Sequence, residues 1–276
     1  MSLQKSFIKF GLTALAALMI SACGSSGGGS DNPQPQNNNA SNNTQTNQPT
    51  NNSQTNTPNN PPQQVQNGTG AAIVKSGDRY EDSLNIQTKT LNGYNPNKIN
   101  VDGTDITIGF PGITSGSWSK INANGRHLEV CCGSYSDIRF GVSDPLDENG
   151  SGYMFYNGNP TQNMPTSGVA NYVGEAIISA NIDELEDKDY DTGSSKFSVN
   201  FGNKTLNGSI EIQNIQPVNI NATISGNSFA GTANSASLPS SGTVEGKFYG
   251  NNAKEMAGLA QGDDKSWGAA FGAAKQ

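Results

Sequence analysis

The chain has 276 residues, with 16 basic against 23 acidic side chains, a net charge of −7 and a mean hydropathy of −0.57. That acidity excludes a protein that tracks nucleic-acid phosphates or sits electrostatically on anionic lipid. Glycine and asparagine are abundant and helix-forming runs are scarce, so whatever folds should be nearly all β.

The first element is a leader. Lys5 and Lys9 give a positive start, Phe10 through Ile20 form an apolar run, and Ser21-Ala22 supply small residues before Cys23. The run is too short to cross a bilayer comfortably, and it ends in a small-residue cleavage context, so residues 1–22 read as a signal peptide. Cys23 directly after the small pair resembles the lipobox of bacterial lipoproteins. That resemblance implies a thioether-linked diacylglyceryl group on Cys23 and a further acyl chain, such as palmitate, on its freed amine. Several acyl chains make a stable anchor where one chain binds only marginally. Cleavage removes two lysines and no acid, leaving 14 basic against 23 acidic side chains, a net charge of −9.

Residues 23–70, beginning at the lipidated cysteine, read as a tether. Positions 24–70 hold 13 Asn, 8 Gln and 6 Pro, one charge at Asp31, and almost no apolar side chain beyond Ala40 and Val65. Such a stretch cannot bury enough surface to offset its ordering entropy. As a random coil it reaches about 35–40 Å, enough to hold a domain clear of lipid headgroups.

Residues 71–167 predict a small β domain. Ile99 to Ile108 alternate around the turn-prone pair Asp102-Gly103. Ser117 to Lys120, Arg126 to Cys132, Ser136 to Val142 and Tyr153 to Tyr156 read as further short strands, with Pro111, Pro145 and Pro160 in the connections. Phe110 before Pro111, and Trp118 in a Gly/Ser-rich loop, are candidate aromatic anchors for a protein partner, with local core packing as their competing role.

Once Cys23 is lipidated, Cys131 and Cys132 remain, adjacent in sequence. In a regular strand they would face opposite ways. Export through an oxidising compartment and the turn-permissive Gly133 favour a vicinal disulfide, with two buried thiols or a metal or redox site as alternatives. The only histidine, His127, reads as a strand residue, and its neighbours do not select it as a haem ligand.

Residues 168–276 predict eight strands at hairpin spacing, namely 168–178, 196–201, 206–212, 218–224, 228–233, 243–249, 254–260 and 267–274. Val218, Ile220, Ala222 and Ile224 alternate cleanly, and Gly202-Asn203 and Gly226-Asn227 punctuate the series as turns. Eight such strands suit a closed antiparallel up-and-down barrel. Gly208, Gly231, Gly246, Gly258 and Gly268, with Gly226, are expected to bend it at its corners. The acidic run from Asp183 to Asp189 lacks the ligand spacing of a calcium loop and reads as a solvated connection. No Gly-x-Ser-x-Gly elbow precedes a helix, and a Ser-His-Asp arrangement would have to use His127, so catalysis is not expected.

Phe201-Gly202-Asn203-Lys204-Thr205-Leu206-Asn207-Gly208 and Ile224 through Ala233 resemble the barrel of the transferrin-binding protein B family. So does Gly246-Lys247-Phe248-Tyr249-Gly250, running on through Ala257-Gly258 to Phe271-Gly272. The wider group is the Slam-dependent surface lipoproteins, which includes factor H-binding protein. With one small β "handle" and one barrel, the layout resembles most the haemoglobin–haptoglobin utilisation lipoproteins. The resemblance implies an all-β fold, handle then barrel, anchored by lipid alone to the outer membrane and exposed on the cell surface. It also implies a Slam-type translocator, a host-protein partner such as haemoglobin, and a TonB-dependent receptor. Haem would then enter only through the bound partner, with no cofactor of the chain's own. A complement-regulator binder or an adhesive surface protein is the alternative reading.

Overall fold

The structure is a computed structural model of the chain, and it describes residues 68–76, 85–111, 116, 118–147, 150–185 and 188–276. The expected signal peptide, Cys23 and nearly all of the expected tether lie outside the described residues. Within them the chain forms sixteen β-strands and two single-turn 3-10 segments.

The first half contains β1 (Gly70–Ser76), β2 (Asn85–Leu91), β3 (Lys98–Val101), β4 (Thr104–Thr107), β5 (Ser119–Ala123), β6 (Arg126–Cys131), β7 (Ile138–Pro145) and β8 (Gly152–Gly158). Six of them make an antiparallel sheet in the order β2-β1-β8-β7-β6-β5, while β3 and β4 form a separate hairpin. The hairpin turns at Asp102 (φ 50°) and Gly103 (φ 87°), the two successive left-handed residues that a type I′ turn requires. Its apolar side, Ile99, Val101 and Ile106, packs on one face of the sheet against Leu91, Leu128, Val130 and Phe155. β1 and β2 are strands that the sequence pattern does not announce, and they extend the sheet on its upstream side.

The second half is a closed barrel in the order β10-β11-β12-β13-β14-β15-β16-β9. Its strands are β9 (Val169–Ala180), β10 (Asp191–Asn200), β11 (Thr205–Glu211), β12 (Val218–Ser225), β13 (Ser228–Asn234), β14 (Gly242–Tyr249), β15 (Glu255–Gly262) and β16 (Trp267–Lys275). All neighbours are antiparallel, so closure leaves no free edge. Strand β10 begins five residues earlier than its apolar alternation suggests, because Asp191 to Ser195 pair with both β9 and, from Ser194, β11.

The barrel glycines correct the expectation of corners. Gly208 lies opposite Phe197, Gly246 opposite Phe229, and Gly258 opposite Phe271. A Cβ added at Gly246 would stand 2.2 Å from Phe229 Cζ, and one at Gly208 would stand 2.3 Å from Phe197 Cδ1. These glycines leave room for neighbouring rings to lie across the sheet, and the rings fill the barrel. Phe197 meets Phe271 at 5.1 Å and Phe229 meets Phe248 at 5.6 Å between ring centroids. Gly226, at φ 58°, is the true turn residue of the set.

The two halves share a second core. Phe140, Val142, Met154, Tyr156, Ala71 and Ile73 of the sheet pack on Ile177, Ala257, Leu259 and Ala270 of the barrel wall. For this reason β15 and β16 are buried on both faces, which explains their small, non-alternating sequences EMAGLAQG and WGAAFGAAK. Gly272 is one point of close approach by the sheet, since a Cβ there would lie 2.3 Å from Phe140 Cε1.

Candidate functional site

The handle offers two distinct environments at its sequence-predicted residues. Phe110 is half-buried just beyond β4 and packs against the hairpin-side core. It lines a cavity of about 180 Å³, together with Pro96, Pro111, Ile121, Cys132 and Arg139. Trp118 is also half-buried, but it packs into the core that faces the barrel, edge-on to Phe140 at 5.5 Å and 84°. The fold therefore does not bring the two aromatics together as one surface. Phe110 borders an opening on the handle, whereas Trp118 helps seat the handle on the barrel.

On β5 and β6, the face opposite Leu128 and Val130 is polar. His127 Nδ1 lies 2.7 Å from Asn122 Oδ1 and Nε2 lies 3.1 Å from Glu129 Oε1, and Lys120 pairs with Glu129 at 2.8 Å. Both ring nitrogens of His127 already have partners, so its place in this strand-to-strand network is structural.

The loop after β6 clamps the handle to the barrel. Glu255 on β15 accepts hydrogen bonds from the backbone N–H of Ser136 (3.0 Å) and of Asp137 (2.9 Å). Lys254 pairs with Asp137 at 2.8 Å. Burial works to raise the Asp137 carboxyl. Hydrogen bonds from Lys254, Ser136 and Asn159 outweigh it and hold the group below its ordinary value. Tyr135 donates to the Gly272 carbonyl at 3.3 Å, and Tyr249 of the barrel donates to the Thr69 carbonyl at 2.8 Å. Tyr190 donates to Asp144 across the same seam.

At this clamp Cys131 and Cys132 are buried, with their sulfurs placed together as a vicinal disulfide. Both point at the barrel. Oε2 of Glu175, on the outer face of β9, lies 2.7 Å from each sulfur. Glu175 is half-buried, and burial raises its carboxyl above the ordinary value. Sequence reasoning singled out the two cysteines but missed Glu175. In β9 it follows Val169, Asn171 and Val173 on an exposed stripe and looks like one more solvated position. Only the long-range seating of the handle brings it to residues more than forty positions upstream.

A second buried polar cluster lies elsewhere on the barrel's outer face. Lys247 is 2% exposed and donates to Ser228 Oγ at 2.9 Å. Burial raises the carboxyl of neighbouring Glu245, and Lys247 offsets part of that.

Residues 164–275 match the family described as the C-lobe and N-lobe β-barrels of Tf-binding protein B. A Haemophilus influenzae protein described as uncharacterized is 44% identical over 289 residues, covering 97% of this chain and 98% of its own length. Transferrin-binding protein B of the same species is 29% identical over 166 residues, which is 48% of this chain but only 26% of that protein. Among crystal structures, transferrin-binding protein B from Haemophilus parasuis is 22% identical with a TM-score of 0.55, covering 75% of this chain and 45% of its own. The isotype 1 protein from serogroup B Neisseria meningitidis is 21% identical with a TM-score of 0.57, covering 75% and 44%. These two share the fold, and the present chain spans under half of either.

Proposed function

The chain belongs to one family with the uncharacterized Haemophilus influenzae protein and is built on a transferrin-binding protein B-type barrel, and on that premise we propose that it is a lipid-anchored surface protein that captures a host protein. The observation that carries this reading is a closed eight-stranded barrel that matches the Tf-binding protein B barrels, preceded by an open-sheet handle. Cys23 bears the lipid, the tether ends before Gly70, which opens β1, and a Slam-type translocator delivers the domain to the outer leaflet of the outer membrane. The host protein is an iron carrier, with haemoglobin the first to test, and a TonB-dependent receptor takes the iron or haem onward. The described residues form one handle-and-barrel unit, which is the layout of the haemoglobin-type lipoproteins that the sequence resembles. The role is capture by surface complementarity and not catalysis.

The test has two arms. Metabolic labelling with an alkyne fatty acid should mark the wild-type chain and not Cys23→Ala, and external protease should reach the protein on intact cells. Immobilised full chain should then bind haemoglobin, with transferrin, lactoferrin and factor H as competitors. Binding of factor H alone would move the assignment to complement evasion, and binding of none would remove the capture role.

A further inference from the structure

Three side chains that partner capture does not use meet at the handle–barrel seam. Cys131 ends β6, Cys132 comes directly after it, and Glu175 lies on β9 of the barrel. Their ligand atoms all fall within 4.8 Å of one another, with one carboxylate oxygen 2.7 Å from both sulfurs. Two sulfurs and one oxygen suit a borderline or soft divalent cation, because hard cations such as Mg²⁺ and Ca²⁺ take oxygen ligands alone. Sheet ladders fix two of the three positions, and Cys132 follows the first of them directly. Cys131 is paired with Phe140 across β6–β7, and Glu175 is held between Ser194 and Gly272 in two ladders. The cysteines are buried, while half-exposed Glu175 gives solvent a way in.

We propose that Cys131, Cys132 and Glu175 form a redox-gated site for a thiophilic divalent cation of the Zn²⁺ or Cd²⁺ class. In the oxidised chain the sulfurs are bonded to each other and have no thiolate to offer. A phosphine reductant and one water cleave the S–S bond, giving two thiols and the phosphine oxide. The cation then displaces two protons and is held by two thiolates and the Glu175 carboxylate, and solvent supplies the remaining coordination position. A thiolate pair joined to a carboxylate from the other half of the molecule makes the metal a cross-link between handle and barrel.

The experiment uses the full chain carrying Cys23→Ser, so that the pair supplies the only thiols. The protein is prepared oxidised, or reduced with a phosphine and desalted, and each form is titrated with Cd²⁺ while the sulfur-to-metal charge-transfer absorption is followed. The reduced form should take up one equivalent per chain and the oxidised form none. Cys131→Ser and Cys132→Ser should each abolish the band. Glu175→Gln should weaken binding by at least the roughly 10–100-fold that loss of an outer-shell partner costs. Absence of uptake by the reduced chain, equal uptake by the oxidised chain, or unchanged affinity in Glu175→Gln would each overturn the proposal. The oxidised-versus-reduced comparison needs no seam variant, so it stands even if one of them misfolds. Its outcome is independent of whether haemoglobin binds.

Discussion

The barrel and the handle are made from the same antiparallel ladder, yet they solve opposite problems. The barrel closes on itself and fills its interior with rings lying opposite glycines, as in Phe229 with Gly246 and Phe271 with Gly258. Among the described residues, that inner surface is packed with buried side chains. The handle stays open, with β2 and β5 as its end strands among the described residues, and its faces are covered by two different neighbours, the β3–β4 hairpin and the barrel wall. Closed architecture supplies rigidity, and open architecture leaves the edges, the loops and the Phe110-lined cavity that we propose meet another protein.

The largest effect should come from emptying the closed half. Phe229→Ala removes a fully buried ring that contacts both Phe248 and Phe271, and it should cost about 3–5 kcal/mol in equilibrium unfolding. A loss below about 1 kcal/mol would mean that the ring row does not carry the barrel.

Next comes the seam. Gly272→Val puts a side chain where Phe140 already lies and should cost about 1–3 kcal/mol through overpacking. The chain's two tryptophans report on the halves separately, Trp118 in the handle and Trp267 in the barrel. In single-tryptophan versions of the wild type, with Trp118→Phe or Trp267→Phe, the two unfolding curves should coincide. In Gly272→Val the Trp118 curve should fall first. Curves already separate in the wild type would break the picture of one cooperative body.

A smaller, pH-dependent effect distinguishes the clamp from the barrel wall, because Asp137 and Glu245 are shifted in opposite directions. Asp137, held low, contributes stability that is present above its unfolded value near pH 4 and is lost as pH falls through its folded value. Glu245 is raised by burial, so its folded form binds more protons than its unfolded form. Stability therefore falls as pH climbs from its unfolded value through its folded value. Urea titrations across this range should show Asp137→Asn flattening the acid limb and Glu245→Gln flattening the other. Unchanged profiles in both would contradict these assignments.

The smallest stability effect is expected at the handle opening. Phe110→Ala touches a half-buried ring beside a cavity and should change stability by no more than about 1 kcal/mol. It should nevertheless weaken host-protein binding by more than that amount. Equal loss in both measurements would make Phe110 a packing residue only.

How far each of these features is legible in the sequence depends on its surroundings in the fold. Val218, Ile220, Ala222 and Ile224 alternate because one face of β12 meets the core and the other meets water, so the strand and its inward side can be read directly. β15 and β16 show no alternation because the handle buries their outer faces, a fact about tertiary packing that no local pattern encodes. β2 reads as a polar run, Asn85–Leu91, because it is an edge strand with only Ile86 and Leu91 buried. At the candidate sites, the adjacency of Cys131 and Cys132 announces a special pair. The carboxylate they face comes from a different element across the seam, and that is why it stayed hidden. Phe110 and Trp118 were visible as aromatics in loops, but which core each would touch depended on how the handle seats.

Hydrogen–deuterium exchange of the full chain, with and without haemoglobin, tests most directly the claim that the barrel is scaffold and the handle is the capturing half. The account predicts that added protection falls on the handle, at the β3–β4 hairpin, the Phe110 segment and the β5 edge, with β10 through β14 unchanged. Protection confined to β10 through β14, with the handle unaltered, would contradict it.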